Sequence, residues 1–195
     1  MKKYQGVTEF LAEKSRVKNK EVMLMYNNEL SVSPLTTHIP LSQVNKKISK
    51  SRIVNKVKIL NNFYKKVFKK NPKIAILGLN PHNFSTLKKF EEKKIIRKAI
   101  SKLLKLKVKV YGPIAPDSSF MNSEKNKFDI ILGMYHDQVL TPFKALYGFK
   151  AVNVTVGLPF IRVSPDHGVA ENIICKKVAN PTSLIESIKF FNNLN

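Results

Sequence analysis

The sequence predicts an α/β domain built around a mostly parallel sheet. Short apolar, β-branched runs alternate along the chain with amphipathic stretches that have the period of a helix. Several apolar runs are followed directly by polar residues, glycine and proline, as in the loops at the carboxyl ends of parallel strands. With 195 residues, of which 43% are hydrophobic, the chain is long enough for one ordinary domain, or one and a half, with a buried core.

The first part of the chain predicts three helices and a pair of short strands. The third helix is the clearest, because its apolar residues share one face and its lysines the other. Two consecutive asparagines suit the turn between the strands. In chain order these elements are a helix from Thr8 to about Lys14, strands at Glu21–Tyr26 and Leu30–Ser33 joined at Asn27–Asn28, and helices at Ser42–Lys50 and Ile53–Lys70.

The rest of the chain predicts four strands and two helices. The apolar run at Lys73–Leu79 is typical of a strand that is buried on both faces. The amphipathic run at Leu87–Leu104 predicts a long helix. The remaining elements are strands at Val108–Tyr111, Asp129–Tyr135 and Ala151–Val156 and a terminal helix at Thr182–Asn193.

The net charge of +22 is concentrated in the middle of the chain. The segment Lys46–Lys109 carries 21 basic residues against Glu91 and Glu92, a local balance of +19. Only four of the 35 basic residues are arginine, although arginine is the residue that most often binds phosphate and guanine in nucleic-acid complexes. We therefore expect lysine-rich solvated surfaces and no specific nucleic-acid partner, with weak polyanion binding as an alternative.

The sequence disfavours membrane insertion, an intramolecular disulfide and a cysteine-based zinc site. No stretch approaches the roughly 18 apolar residues of a membrane helix, and the N-terminus lacks the apolar region of a signal peptide. We expect a cytoplasmic protein. The single Cys175 leaves any metal to histidine and carboxylate ligands.

Three histidines lie beside turn residues near the ends of predicted elements. His38, His82 and His136 are 44 and 54 residues apart, unlike the spacing of a zinc motif on one helix. Each taken alone is typical of a surface or hydrogen-bonded structural histidine. Spacing by itself therefore establishes no site.

Five segments that occur in a fixed order add a more specific signal. Together they resemble the 4-hydroxythreonine-4-phosphate dehydrogenase family of pyridoxine biosynthesis, from about Tyr4 to the terminal helix. The segments are Gly6-Val7-Thr8-Glu9-Phe10-Leu11-Ala12, Thr37-His38-Ile39-Pro40-Leu41, Gly78-Leu79-Asn80-Pro81-His82, Tyr135-His136-Asp137-Gln138, and Val152-Asn153-Val154-Thr155-Val156-Gly157-Leu158-Pro159-Phe160-Ile161-Arg162.

The resemblance implies a fold like that of the isocitrate and isopropylmalate dehydrogenases. Such a subunit has two domains with α/β/α layers and a cleft between them, and it forms a homodimer whose active site draws on both subunits. The first domain is expected to be truncated here, with residues 1–35 as its remnant or linking region. Residues 36–195 are expected to form the metal- and substrate-binding domain. A separately encoded N-terminal half is then a possible partner.

The same resemblance implies roles for individual residues. His38, His82 and His136 match the divalent-metal ligands, with zinc as the usual metal and magnesium or cobalt as alternatives. Three imidazoles with an open position suit Lewis-acid chemistry. Thr8, Lys144, Asn153 and Arg162 match substrate-binding positions, Asp117 and Asp137 match nearby carboxylates, and His167 is expected near the site but outside the metal shell.

The implied reaction is oxidation of 4-phosphooxy-L-threonine, with loss of carbon dioxide, to 3-amino-2-oxopropyl phosphate. NAD, or alternatively NADP, is the expected hydride acceptor, and the sequence assigns no residue to its binding. The expected substrate is thus a small phosphorylated hydroxy-amino acid.

Two local departures from the family pattern leave alternatives open. Val7 replaces a histidine expected at the substrate phosphate, so phosphate binding should be weaker. Residues 83–90 lack the glycines of the family loop, which changes the turns available there. The alternatives are an inactive remnant or one half of a split enzyme, a dehydrogenase of a related acid such as threonate or erythronate 4-phosphate, and a basic polyanion-binding protein.

Overall fold

Apolar segments of the chain form one mixed sheet with helices on both faces. The computed structural model describes residues 7–83, 92–121, 127–166, 171–176 and 178–192. The strands are β1 (Val22–Tyr26), β2 (Ser31–Pro34), β3 (Ile74–Leu77), β4 (Val110–Ile114), β5 (Ile130–Gly133), β6 (Val152–Val156) and β7 (Arg162–Pro165). The α-helices are α1 (Val7–Lys14), α2 (Leu41–Lys47), α3 (Lys50–Val67), α4 (Arg97–Lys105), α5 (His136–Tyr147) and α6 (Thr182–Asn192). Single turns lie at Pro81–Asn83, Glu92–Ile96, Gly148–Lys150 and Glu171–Ile173.

The strand order of the sheet is β4-β3-β5-β2-β1-β6-β7. The pairs β4/β3, β3/β5 and β5/β2 are parallel, whereas β1 is antiparallel to both of its neighbours and β7 is antiparallel to β6. Among the described strands, all except β1 and β7 therefore run in the same direction. The predicted α/β fold with a mostly parallel sheet is confirmed. The predicted boundary at residue 35 follows β2 in the middle of this sheet, and the division into two domains stays a prediction.

Two apolar clusters, one on each side of the sheet, make the three layers. Strand residues such as Leu24, Ile76 and Leu132 pack with α3 and α4 on one side. On the other side Val32, Ala75 and other strand residues pack with α5. Each central strand therefore buries both of its faces, which explains why β3 and β5 read as uninterrupted apolar runs.

Helix α3 is the element whose sequence signals are clearest. Its N-cap is Ser49, whose hydroxyl accepts a hydrogen bond from the Arg52 amide. The predicted apolar face is buried at Ile53, Val57, Leu60 and Tyr64. The Tyr64 hydroxyl donates to the Ser31 hydroxyl at 2.8 Å, so the helix is joined to β2 by a hydrogen bond as well as by apolar packing. At 18 residues α3 is the longest described helix, and none of the described helices is both long and apolar enough to cross a membrane.

Helix α5 and strand β7 were not predicted from the sequence. Pro142 lies inside α5, lacks an amide hydrogen and disfavours a helix interior, so the pattern after Tyr135 did not indicate a helix. Burial of Val139, Leu140 and Phe143 against the sheet stabilises the helix despite this proline. The preceding strand consequently ends at Gly133 rather than at Tyr135. Of the predicted helix at 87–104, residues 87–91 lie outside the described part.

The turn after β6 is fixed by one glycine. Gly157 has a φ of +92°, and a Cβ atom there would lie 2.0 Å from the Lys20 carbonyl oxygen. Only glycine therefore permits the turn after β6 to approach the segment that leads into β1. This contact brings the residues just before β1 close to the Gly157-to-Arg162 loop.

We expect Gly157→Ala to lower the free energy of unfolding by about 3 kcal/mol or more, because it adds a steric clash to an unfavourable φ. Gly148→Ala is the matched control: its φ is +50°, but nothing lies within 4 Å of the added Cβ. The control should cost about 1–2 kcal/mol from backbone strain alone. Urea unfolding of both variants measures the difference. Equal losses would show that the Lys20 contact does not fix this turn.

Candidate functional site

The carboxyl ends of four adjacent parallel strands carry most of the metal-ligand candidates. His38 follows β2, His136 follows β5, His82 follows β3 and Asp117 follows β4. The strands β2, β5, β3 and β4 are neighbours in that order, so their carboxyl ends meet at one edge of the sheet. Open α/β sheets bind ligands at this edge.

His38 and His136 lie close together because their loops are hydrogen-bonded to each other. The Thr36 hydroxyl donates to the Met134 carbonyl at 2.8 Å, and the Leu35 amide donates to the Gly133 carbonyl at 2.7 Å. The two imidazole ring centroids are 5.8 Å apart. The pairing of β2 with β5 thus continues past the strands and brings these histidines together.

His136 and His82 each lie beside one of the predicted carboxylates. His136 Nδ1 is 2.7 Å from Asp137 Oδ1, a hydrogen bond that orients the ring. His82 Nδ1 is 3.6 Å from Asp117 Oδ2, an ion-pair distance longer than a hydrogen bond. Carboxylates commonly orient metal-binding histidines in this way.

The backbone of His82 has an uncommon conformation. Its φ of +51° places it in the left-handed region, which disfavours residues with a side chain. Such strain concentrates at functional sites. The side chain is 81% exposed, so the imidazole is accessible from solvent.

The described residues of one chain do not assemble a complete metal site. Within 7–83, 92–121, 127–166, 171–176 and 178–192, no group of three histidine, cysteine, aspartate or glutamate side chains is close enough to hold a metal ion. His38 and His136 approach each other, whereas His82 is paired with Asp117. The three-histidine metal set therefore stays a prediction, and His167 lies outside the described residues.

Gln138 joins the two histidine-bearing loops that follow β5 and β3, and sequence reasoning gave it no role. Its Oε1 accepts from the Met134 amide at 2.7 Å, and its Nε2 donates to the Gly78 carbonyl at 2.9 Å. Both amide atoms of the side chain are therefore engaged. The available signal was its place directly after His136 and Asp137 in a family motif.

A cavity of about 740 Å³ adjoins this edge and brings together four predicted site residues. Thr8, His38, Asn153 and Arg162 all line it. The Arg162 guanidinium donates through Nη1 to the Thr155 hydroxyl at 3.0 Å, which fixes the side chain on β7 against β6. Three of the four predicted substrate-binding residues thus share one cavity with a predicted metal ligand.

The fourth predicted substrate-binding residue, Lys144, lies elsewhere. It does not line the cavity, and its ammonium forms an ion pair with Asp166 at 3.0 Å. Lys144 and His136 are eight residues apart on α5, which separates them by about 12 Å along the helix axis. One chain therefore does not bring Lys144 beside His136 along this helix.

The cavity also contains charged residues that sequence reasoning missed. Lys47, Arg52 and Lys56 line it from α2 and α3, and Glu21 lines it from the segment before β1. The relevant signal was position: Lys56 follows the buried Ile53 by three residues and precedes the buried Val57, at the border of the apolar face of α3. The sequence alone groups it with the solvated lysines of the basic segment.

Lys56 has the most unusual electrostatic environment of these residues. Its ammonium donates to the carbonyl oxygens of Pro34 at 2.7 Å and Leu35 at 3.2 Å. Burial, and to a smaller extent the charge of Arg52, lower the pKa of Lys56 to about 7, and the charge of Glu21 opposes the shift. Lys56 therefore changes its charge near neutral pH.

Comparison with known proteins identifies the family. The family model described as pyridoxal phosphate biosynthetic protein PdxA matches residues 1–191. This chain belongs to the PdxA family. A protein of Sulfurihydrogenibium sp. (strain YO3AOP1) named 4-hydroxythreonine-4-phosphate dehydrogenase is 45% identical over 192 residues, which cover 95% of this chain and 58% of that protein.

A solved relative agrees with the sequence match. The crystal structure of 4-hydroxythreonine-4-phosphate dehydrogenase from Klebsiella pneumoniae superposes with a TM-score of 0.85 at 33% identity, covering 99% of this chain and 59% of that one. A protein of Pectobacterium atrosepticum named D-threonate 4-phosphate dehydrogenase is 35% identical, covering 95% of this chain and 57% of that protein. This PdxA-family chain thus spans less than two thirds of these relatives.

We expect Gln138→Leu to lower the free energy of unfolding by about 2 kcal/mol, because the Met134 amide and the Gly78 carbonyl both lose a partner. Gln138→Glu keeps the acceptor but loses the donor, so a smaller loss is expected. Urea unfolding measures both variants, with Gln43→Leu on the exposed face of α2 as the control. If Gln138→Leu is as stable as the control, Gln138 does not hold the two loops together.

Lys56 should make stability depend on pH. Because its pKa is about 7 when folded and near 10.5 when unfolded, the unfolded chain binds more protons between these values, and stability rises with pH there. Relative to Lys56→Met, the free energy of unfolding of the natural chain should increase from pH 7 to pH 9, by at most about 1.4 kcal/mol per pH unit. Urea unfolding across this range tests it, and a constant difference would contradict the lowered pKa.

Proposed function

We propose that this PdxA-family chain binds the metal and the phosphorylated substrate of a dehydrogenase that oxidises 4-phosphooxy-L-threonine to 3-amino-2-oxopropyl phosphate. The observation that carries the proposal is the shared cavity, in which His38 lies with Thr8, Asn153 and Arg162. The names of the relatives support a dehydrogenase acting in pyridoxal phosphate biosynthesis.

The substrate is held by charged and neutral donors of the cavity. Arg162 presents a guanidinium fork that suits a phosphate or carboxylate, and its bond to Thr155 limits the motion of that fork. Thr8 and Asn153 add uncharged hydrogen-bonding groups. Together they orient a small acid beside His38.

The histidines at the strand ends fit a divalent metal by their chemistry. Imidazole nitrogen is a preferred zinc ligand, Asp137 orients His136 through a hydrogen bond, and Asp117 lies 3.6 Å from His82. His38, His82 and His136 would hold the ion, which would supply Lewis-acid stabilisation of the developing carbonyl. Asp137, bonded to Nδ1 of His136, leaves Nε2 of that ring as the nitrogen for a metal.

We further propose that a second copy of the chain completes the site. The described residues of one chain bring His38 and His136 together but leave His82 with Asp117 and place Lys144 at a distance along α5. A homodimer with shared active sites would supply the missing ligand and Lys144 from the partner. NAD or NADP is the proposed hydride acceptor, and a separately encoded N-terminal half is the proposed source of the rest of the cleft.

A related substrate, D-threonate 4-phosphate, is the second candidate. It is favoured by the Pectobacterium relative, whose name specifies that acid. The two substrates share the phosphate and the carboxylate but differ in carrying an amino or a hydroxyl group beside the carboxylate. The cavity cations would bind the shared groups of either substrate.

The test measures metal content first and NADH formation second. We expect about one divalent ion per chain in the natural protein and a clear loss in His136→Ala, because a site that loses one of three imidazoles binds metal weakly. Lys65→Ala, on the exposed surface of α3, is the control and should keep its metal. Natural protein without stoichiometric metal would contradict the metal proposal.

NADH formation is then measured with 4-phosphooxy-L-threonine and with D-threonate 4-phosphate, by the chain alone and mixed with the N-terminal half of a relative. Formation with the first substrate supports the main proposal, and formation with the second alone supports the alternative. No NADH with either substrate in either mixture would overturn the dehydrogenase proposal.

A further inference from the structure

We propose that Lys56, together with Arg52, forms an additional anion-binding element of the cavity that selects a phosphorylated ligand. These two cations from α3 add to the substrate-binding residues that the family motifs imply. In naming the substrate's phosphate as the occupant, this inference rests on the proposed function. The binding of a doubly charged oxyanion can be tested without it.

The charge of the cavity favours an anion. Lys47, Arg52, Lys56 and Arg162 contribute four cationic groups, and Glu21 is the acidic residue among the described lining residues. Arg52 and Lys56 are four residues apart on α3 and therefore share a face of the helix. Like charges at this spacing repel each other, and a dianion between them would relieve the repulsion.

The ammonium of Lys56 keeps capacity for a ligand. A protonated lysine has three donors, and the Pro34 and Leu35 carbonyls accept from two of them. Those carbonyls lie where β2 ends, just before the loop that carries His38. They hold the ammonium at the wall of the cavity and near the predicted metal ligand.

A bound anion would also favour the protonated form of Lys56. Burial and the charge of Arg52 shift Lys56 toward the neutral amine, so that it is only partly protonated near pH 7, whereas a bound dianion favours the ammonium. Binding should therefore be accompanied by proton uptake. The other charged or titratable groups at the cavity are Glu21, His38, Lys47, Arg52 and Arg162, so the contribution of Lys56 has to be isolated by substitution.

Val7 is a residue of this cavity that departs from the family pattern. It lines the same cavity and is 59% exposed, and it occupies the position where the resemblance implied a phosphate-facing histidine. Valine donates no hydrogen bond and carries no charge. Lys56 and Arg52 reach the same cavity from α3, so they provide donors that position 7 lacks.

Glu21 adds a second polar feature to the cavity. Its Oε2 is buried without a hydrogen-bond partner among the described residues. A buried acceptor without a partner costs free energy unless a ligand supplies a donor. A hydroxyl or amino group of a phosphorylated acid would satisfy it, so the wall of the cavity offers cations for the phosphate and an acceptor for the neighbouring polar group.

The experiment has to distinguish anion binding by Lys56 from a purely structural role. The hydrogen bonds of Lys56 to Pro34 and Leu35 also attach α3 to the end of β2. Sulfate is the probe, since it is a dianion that does not titrate near neutral pH. Its binding to the full chain is measured by calorimetry at low ionic strength, at pH 6.5 and pH 8.5. The variants are Lys56→Met and Arg52→Gln, with Lys58→Met as the matched control on the exposed side of α3.

We expect Lys56→Met to weaken sulfate binding about tenfold or more at pH 6.5, and Arg52→Gln to weaken it several-fold, as for the loss of a charge-assisted hydrogen bond. Lys58→Met should bind sulfate as the natural chain does. Affinity of the natural chain should fall from pH 6.5 to pH 8.5 more steeply than that of Lys56→Met. Heats measured in two buffers of different ionisation enthalpy should show proton uptake that Lys56→Met lacks.

Three results would overturn the proposal. They are absence of sulfate binding to the natural chain, sulfate affinity unchanged in a folded Lys56→Met, and an equal loss in the Lys58→Met control. Circular dichroism and urea unfolding establish that the variants are folded. Since sulfate binding requires neither metal nor NAD, a failure to form NADH would overturn the proposed dehydrogenase and leave this result standing.

Where NADH is formed, Lys56→Met should raise KM for the phosphorylated substrate more than it lowers kcat. If Lys56 only attached α3 to the end of β2, its loss would loosen the His38 loop and would lower kcat as well. It would then not change KM more than kcat. Equal effects on both constants, with sulfate affinity unchanged, would assign Lys56 to this structural role.

Discussion

The parallel pairing of β2, β5 and β3 is the constraint on which the rest of the site depends. Because these strands are adjacent and run in one direction, their carboxyl ends meet at one edge, and the loops that carry His38, His136 and His82 begin there. Hydrogen bonds continue the pairing beyond the strands, through Thr36 to Met134 and through Gln138 to Gly78. The positions of the histidines are thus set by rigid strands that are buried on both faces, and the loops add the final orientation.

The cavity beside that edge is dominated by positive charge held by the fold. Lys56 is the clearest example, since its ammonium is bound by two carbonyl groups at the end of β2 while burial and Arg52 lower its pKa. A buried cation beside another cation is unfavourable in the free protein. Such an arrangement is easier to understand in a site that receives an anion, and the family's phosphorylated substrates are of that kind. His38 lines this cavity together with the basic residues, so the proposed anion site adjoins the proposed metal site.

The incomplete set of metal ligands in one chain is the structural reason for the proposed homodimer. The chain spans 51–59% of the length of the curated relatives that it matches. Two of the proposed ligands are close together, and the third is paired with its own carboxylate. The proposed second copy would supply the last ligand and Lys144 without altering the fold of the individual chain.

The sequence by itself determined the alternation of helices and strands, the apolar face of α3 and the motifs at the strand ends, because these depend on local periodicity and on residue type. It also determined the family, since five ordered motifs carry far more information than any one of them. It did not determine α5, because Pro142 disfavours a helix locally and only packing of Val139, Leu140 and Phe143 against the sheet compensates. Nor did it single out Lys56 or Gln138. Lys56 resembles any other lysine of a basic segment until α3 packs against the end of β2, and Gln138 donates to a carbonyl group 60 residues away in sequence. Local patterns specify the elements, whereas the partners of a buried charge or amide are decided only when distant segments are brought together.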